Sequence, residues 1–186
     1  MPDTVSIMRD VTLRRWTEDD LPVLQRSNTA EMTAYLGGPE SDDQLEKRHA
    51  KFLRLWEAGE ARMFTVNVPE ADVPVGSVGY WQTTHHGVPV YEAGWSIATA
   101  FQGRGIAAAA LGACLEDAAA HGDRDALFAF PRVDNAASNA LCRRVGMTWT
   151  AEEDFEYPPG LPIRVNAWRA DLGAPGNPDG AAAAQA

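Results

Sequence analysis

Apolar and polar residues alternate through Val11-Thr12-Leu13-Arg14-Arg15-Trp16, the two-residue period of a half-buried strand. Thr17-Glu18-Asp19-Asp20 follows as a helix start, with Thr17 as cap and acids in the first turn. Leu21 and Leu24 begin its buried face, and Gly37-Gly38-Pro39 ends the region. Ser41-Asp42-Asp43-Gln44 reads as a capping box. Leu45, Phe52, Leu53 and Trp56 then recur at helical spacing up to Gly59. Three strands are predicted over 63–68, 75–82 and 90–97, with turns at Pro69 to Pro74 and at His86-Gly87. The period is helical again from Arg104 to His121, where Ile106, Ala110, Leu111, Cys114, Leu115 and Ala118 share a side. Leu127 to Phe130 is a continuous apolar run, as in a strand buried on both faces. Asn135 to Val145 predicts a helix closed by Gly146, and two further strands are expected near 147–157 and 163–171.

This order predicts one three-layer α/β domain over residues 1–172. Its sheet is expected to be mixed, mostly antiparallel and six- to seven-stranded, with helices on both faces. Gly173 to Ala186 has little to bury and is expected to be a disordered tail.

Composition narrows the setting. Cys114 and Cys142 both fall on predicted helices, so no disulfide framework is indicated and a reducing, cytoplasmic location is expected. Met1 to Asp10 lacks the cationic head and apolar core of a secretory signal. Glu116 and Asp117 interrupt the alanine-rich stretch, so no membrane partner is expected. A net charge of −10 argues against a nucleic-acid partner. It suits a cationic substrate such as an amine, although solubility alone also accounts for it.

The segment Gln102-Gly103-Arg104-Gly105-Ile106-Ala107 joins a strand to a helix. Glycines let backbone approach a ligand, and the first helix amides have no intrahelical acceptor. Those amides suit a phosphate, to which Arg104 adds charge. Three readings compete. The segment could be a plain turn. It could be a dinucleotide fingerprint, Gly103-x-Gly105-x-x-Ala108, with Asp134 as the ribose-binding acid. That fingerprint belongs after the first strand of a parallel unit, whereas helices and hairpin-like strands precede this one.

The third reading is a resemblance. Gln102-x-x-Gly105-x-Ala107 resembles the pyrophosphate loop of the GNAT superfamily of acyl-CoA N-acyltransferases. Asn135-Ala136-Ala137-Ser138-Asn139-Ala140-Leu141-Cys142-Arg143-Arg144-Val145-Gly146-Met147 resembles that family's N-x-x-[AS]-x-x-L-Y-x-x-x-G-F helix. Leu13 to Leu21 is similar to the opening of the subgroup containing ribosomal-protein N-terminal acetyltransferases.

The resemblance implies direct acetyl transfer from acetyl-CoA to a small-molecule or peptide amine, with no metal. A homodimer is suggested on the same ground alone. It implies a strand before the loop that bulges and splays from its neighbour, freeing main-chain donors around Ser96, Ile97 and Ala98. Gly103 and Ile106 belong to the implied cofactor loop with Gln102, Arg104, Gly105 and Ala107. Glu92 and Glu156 are equal candidates for the base; an ordinary solvated carboxylate is the plainer account of each. Ser138 is implied to hydrogen-bond the CoA sulfur, and Asn135 to bind pantetheine or cap its helix. Cys142 stands where many relatives have Tyr, lining the cofactor or simply filling the core. Trp81 and Tyr91 are candidates for the acceptor pocket, and Tyr157-Pro158-Pro159-Gly160 for a turn beside it. His85-His86 has no ligand spacing and reads as a turn. Two rivals stand: a catalytically silent acyl-CoA sensor on the same fold, and, more distantly, a nucleotide-dependent oxidoreductase.

Overall fold

The computed structural model describes residues 10–173, so the expected tail beyond Gly173 and the N-terminal segment lie outside the described residues. Among the described residues seven strands form one sheet: β1 (Thr12–Arg15), β2 (Ala61–Asn67), β3 (Gly76–His85), β4 (Val88–Ile97), β5 (Ala126–Ala129), β6 (Thr148–Glu156) and β7 (Pro162–Asp171). Their order is β1-β2-β3-β4-β5-β7-β6. Among these strands only the β4–β5 pairing is parallel. The helices are α1 (Leu21–Ser27), α2 (Asp42–Glu57), α3 (Ile106–His121) and α4 (Ala136–Arg144). This is the expected mixed α/β domain.

Local chemistry explains the element starts. At α2, the Ser41 hydroxyl accepts from the Gln44 amide at 3.3 Å and the Gln44 side chain accepts from the Ser41 amide at 2.8 Å. The first helix is shorter than its pattern implied. A 3-10 turn, Glu18–Asp20, precedes it, and beyond Asn28 the chain runs as turns to Ser41. Asp20 is buried there and accepts from Arg14 at 2.6 Å and from the Thr17 amide at 2.7 Å. Burial opposes its charge, but these bonds outweigh burial and hold the carboxyl below its ordinary value.

One face of the sheet packs Met63 against Trp16, Val23, Leu24 and Leu45, from the strand end and from α1 and α2. Trp56 departs from the predicted α2 stripe and meets Phe64 edge-on, with Arg62 over its ring. The other face packs α3 through Ile106, Ala110, Leu111, Cys114 and Ala118 onto Val66, Val78, Tyr80 and Leu127. Small residues on that helix let it lie close to the strands.

Asp117 fixes the register of α3. Its carboxylate accepts from Arg62 at 2.6 and 3.0 Å and from the buried Tyr80 hydroxyl at 2.9 Å. Burial first, and then the bond to Asp117, push the Tyr80 hydroxyl well above its ordinary range. Asp117→Ala orphans both partners and is expected to cost about 2–3 kcal/mol in urea unfolding. Tyr80→Phe, which removes one bond and leaves no charge alone, should cost only about 1 kcal/mol.

Candidate active site

β4 and β5 share two residue pairs, Tyr91 with Leu127 and Glu92 with Phe128. Beyond Glu92, β4 runs on to Ile97 with no β5 partner, which opens a cleft between the strands. The expected splay is therefore present. The expected bulge is not: β4 stays in unbroken register with β3, from Ile97 opposite Gly76 to Val88 opposite His85. Among the described strands the register shift lies instead in β6, between Trp149 and Ala151.

Not every predicted main-chain donor faces the cleft unpaired. The Ala98 amide donates to the Val75 carbonyl at 2.8 Å, so it is committed to the β3 side. The Ile97 carbonyl accepts from the Gln102 side chain at 2.8 Å, which ties the end of β4 to the glycine loop. Ser96, opposite Ser77, remains on the splayed stretch.

In the loop, Gly103 and Gly105 have φ of 68° and 81°. A Cβ at either would meet nothing within 4 Å. These glycines serve the left-handed backbone rather than close packing. Gly105 caps α3, whose first intrahelical bond runs from Ala109 to Gly105 at 3.1 Å. The amides of Ile106, Ala107 and Ala108 are thus left pointing out of the helix end. Arg104 stands beside them, paired with Glu70 at 2.7 Å and lying over the Phe101 ring. This helix end has the geometry of an anion cradle.

α4 begins on the other side of the cleft. The Asn135 side chain accepts from the Ser138 amide at 3.1 Å, so it is the helix cap. The half-buried Ser138 hydroxyl has no hydrogen-bond partner among the described residues. Cys142 is 0% exposed and belongs to the core under α4. Burial pushes its thiol up to about 12, which suits neither a cofactor contact nor proton donation near neutral pH. The expectation that Cys142 binds cofactor gives way to its plainer reading as core.

The two glutamates are not equivalent. Glu92 is half-buried at the fork where β4 leaves β5, opposite Trp81 on β3. Burial raises its carboxyl to about 7, against a smaller lowering by a hydrogen bond from Trp81. Gly94 makes room for that indole, because a Cβ there would meet the Trp81 ring at 2.9 Å. Glu156 is exposed and accepts from the Gly160 amide within its own hairpin turn. Tyr91 is not in an acceptor pocket. It is buried on the α3 face, and its hydroxyl donates to Asp123 at 2.8 Å.

Some residues that shape the cleft carry no motif. Asn139 donates to the carbonyls of Arg132 at 2.9 Å and Asn135 at 2.8 Å. Its oxygen accepts from Asn166 at 2.8 Å and Trp168 at 2.9 Å. It joins the start of α4 to β7. Gly37, in the α1–α2 connection, lies against Pro158 in the β6–β7 turn. Arg48 bridges the same segments, pairing with Glu40 at 2.6 Å and approaching the Tyr157 hydroxyl at 3.5 Å. Asp134, the acid a dinucleotide site would need, pairs instead with Arg132 at 2.8 Å.

A splayed parallel pair with a glycine-capped helix beside it is the arrangement that the resemblance to acyl-CoA N-acyltransferases implies. The acetyltransferase (GNAT) domain family matches residues 10–148, and the chain belongs to that family. Its activity is accordingly that of an N-acetyltransferase with acetyl-CoA as co-substrate.

Solved structures agree on the fold. RimL, a ribosomal L7/L12 alpha-N-protein acetyltransferase in complex with coenzyme A, is 23% identical with a TM-score of 0.72, covering 87% of this chain and 93% of its own. An acetyl transferase from Salmonella typhimurium that modifies the N-terminal serine of ribosomal protein L7/L12 is 24% identical with a TM-score of 0.74, covering 88% and 95%. Spermidine N-acetyltransferase from Vibrio cholerae, in complex with CoA and spermine, is 20% identical with a TM-score of 0.71, covering 87% and 95%.

The left-handed backbone at Gly105 yields a direct test. Gly105→Ala has space for its methyl but not the backbone angle, so it should lose about 1–2 kcal/mol of stability. Calorimetry should show weaker CoA binding by this variant, because the outward amides of α3 are re-aimed. Unchanged affinity would exclude the loop from cofactor binding.

Proposed function

We propose that Glu92 is the general base of this acetyltransferase and that its acceptor is a primary amine entering from the α1–α2 face of the sheet. The observation that carries this reading is the raised carboxyl of Glu92, up to about 7, at the fork of β4 and β5. A base with that pKa is half ionised near neutral pH and can take a proton from the acceptor ammonium, leaving the neutral amine free to attack. The amine nitrogen then bonds to the thioester carbon, the carbon–sulfur bond breaks, and CoA leaves as thiolate while the nitrogen's second surplus proton passes to that sulfur or to water. Ser138 donates a hydrogen bond to that sulfur. The loop from Gln102 to Ala107 takes the pyrophosphate on the α3 amides. Ser96, Ile97 and Asn135 line the pantetheine path.

The acceptor is a peptide N-terminus or a small amine. The net charge of −10 favours a cationic acceptor, and the relatives above act on a protein N-terminus and on spermidine. An α-amino group is about 10% neutral at pH 7, whereas a lysine amine is neutral only to about 0.04%. The buried free thiols of Cys114 and Cys142 go with a reducing, cytoplasmic setting, and no described helix is long and apolar enough to cross a membrane.

Glu92→Gln is expected to lower kcat by about 100-fold or more while the Kd for acetyl-CoA stays unchanged. Glu156→Gln should remain close to wild type in the same thiol-release assay across an amine panel. The wild-type rate should rise with pH through about 7, and Glu92→Gln should lose that limb. If Glu92→Gln keeps the wild-type rate, Glu92 is not the base. Acetyl-CoA binding without thiol release to any amine would favour the sensor.

Stability should move the other way. The folded pKa of Glu92 lies above its ordinary value of 4.5. The native state therefore holds this proton more tightly than the unfolded chain, and stability falls as pH rises from 4.5 to about 7. Glu92→Gln should raise Tm relative to wild type at about pH 8, and the gain should vanish near pH 4.

A further inference from the structure

His85 ends β3, and His86 opens the two-residue turn into β4. Successive strand residues point to opposite faces, so adjacent imidazoles should diverge. Here they converge. His86 and Gly87 have φ of 49° and 78°, a turn that glycine or asparagine adopts more easily than histidine. It leaves the two rings 4.1 Å apart between centroids.

Both Nε2 atoms face one carboxylate, that of Glu153 on β6. His85 lies 3.0 and 3.2 Å from its two oxygens, and His86 lies 3.1 Å away. The side chains of His85 and Glu153 are 15% and 17% exposed, and that of His86 is 73% exposed. Phe128 and Phe130 wall the inner side, with ring centroids 4.4 and 5.2 Å from His85. One donor atom from each of the three residues falls within a span of 4.8 Å.

We propose that His85, His86 and Glu153 form a binding site for a divalent transition-metal ion of the zinc type, which clamps the β3–β4 turn to the edge strand β6. Two imidazoles and a carboxylate are a zinc donor set that leaves the fourth position to water. Zinc bonds of this kind place tetrahedral ligand atoms about 3.3 Å apart. The nitrogen–oxygen separations are already close to that, and rotation of the exposed His86 ring closes the rest. Each ring binds through Nε2 with its proton on Nδ1. A glutamate carboxylate is an anion at neutral pH, as a ligand must be. None of the three ligands belongs to the transfer chemistry, and the ion's role is to hold the turn against β6.

The test is a titration of untagged, EDTA-stripped protein with Zn²⁺ by calorimetry and with Co²⁺ by visible absorption. One ion per chain should bind saturably, with Co²⁺ ligand-field bands and a rise in Tm that Zn²⁺ produces and Mg²⁺ does not. His86→Ala, at an exposed position, and Glu153→Gln should each weaken Zn²⁺ binding by more than about tenfold, with far-ultraviolet circular dichroism unchanged. His121→Ala, which removes a histidine 3.2 Å from Asp117, should not alter binding. No saturable binding, or binding that survives both ligand variants or is lost with His121, overturns the site.

Discussion

The short partnership of β4 and β5 is the constraint on which the site depends. Two strands that stayed paired along their length would satisfy each other's main chain and leave no slot. Here pairing stops at Glu92 and Phe128, and the rest of β4 keeps only its β3 neighbour. Polar main-chain groups along a sheltered edge call for partners. Gln102 supplies one by donating to the Ile97 carbonyl. An extended ligand carrying amides can supply others, and the family's co-substrate has that character.

A cleft of this kind needs walls held by something other than a continuous ladder. Asp117 locks α3 to β2 and β3 through Arg62 and Tyr80, so the helix end that offers its amides stays in place. Asn139 does the same for α4, joining its first turn to β7 through bonds from Asn166 and Trp168. The fork itself holds Glu92 half-buried, where ionisation is costly. Stability lost to that carboxylate and basicity gained by it have one physical origin, desolvation.

The strands, the helices and the glycine loop before α3 were legible in the chain because periodicity, capping chemistry and glycine placement act over a few residues. Ser41 and Gln44 cap α2 as their spacing implies, and Asn135 caps α4. Family likeness added the glycine loop and the α4 motif. The bulge expected on β4 did not appear, and the Ala98 amide went to Val75, since both depend on a neighbouring strand. Cys142 and Tyr91 turned to the core because a helix or strand position has two sides, and only packing selects between them.

The sequence by itself therefore determined the element order, the α/β class and the glycine loop that opens α3. Tertiary structure alone decided which glutamate is desolvated, because burial is a property of assembled neighbours. Glu92 and Glu156 look alike in the chain, yet one sits at a strand fork and the other caps its own hairpin turn. It also brought Glu153 to His85 and His86, from which it stands 68 and 67 residues away. No local pattern announces a carboxylate delivered by the folding of a sheet.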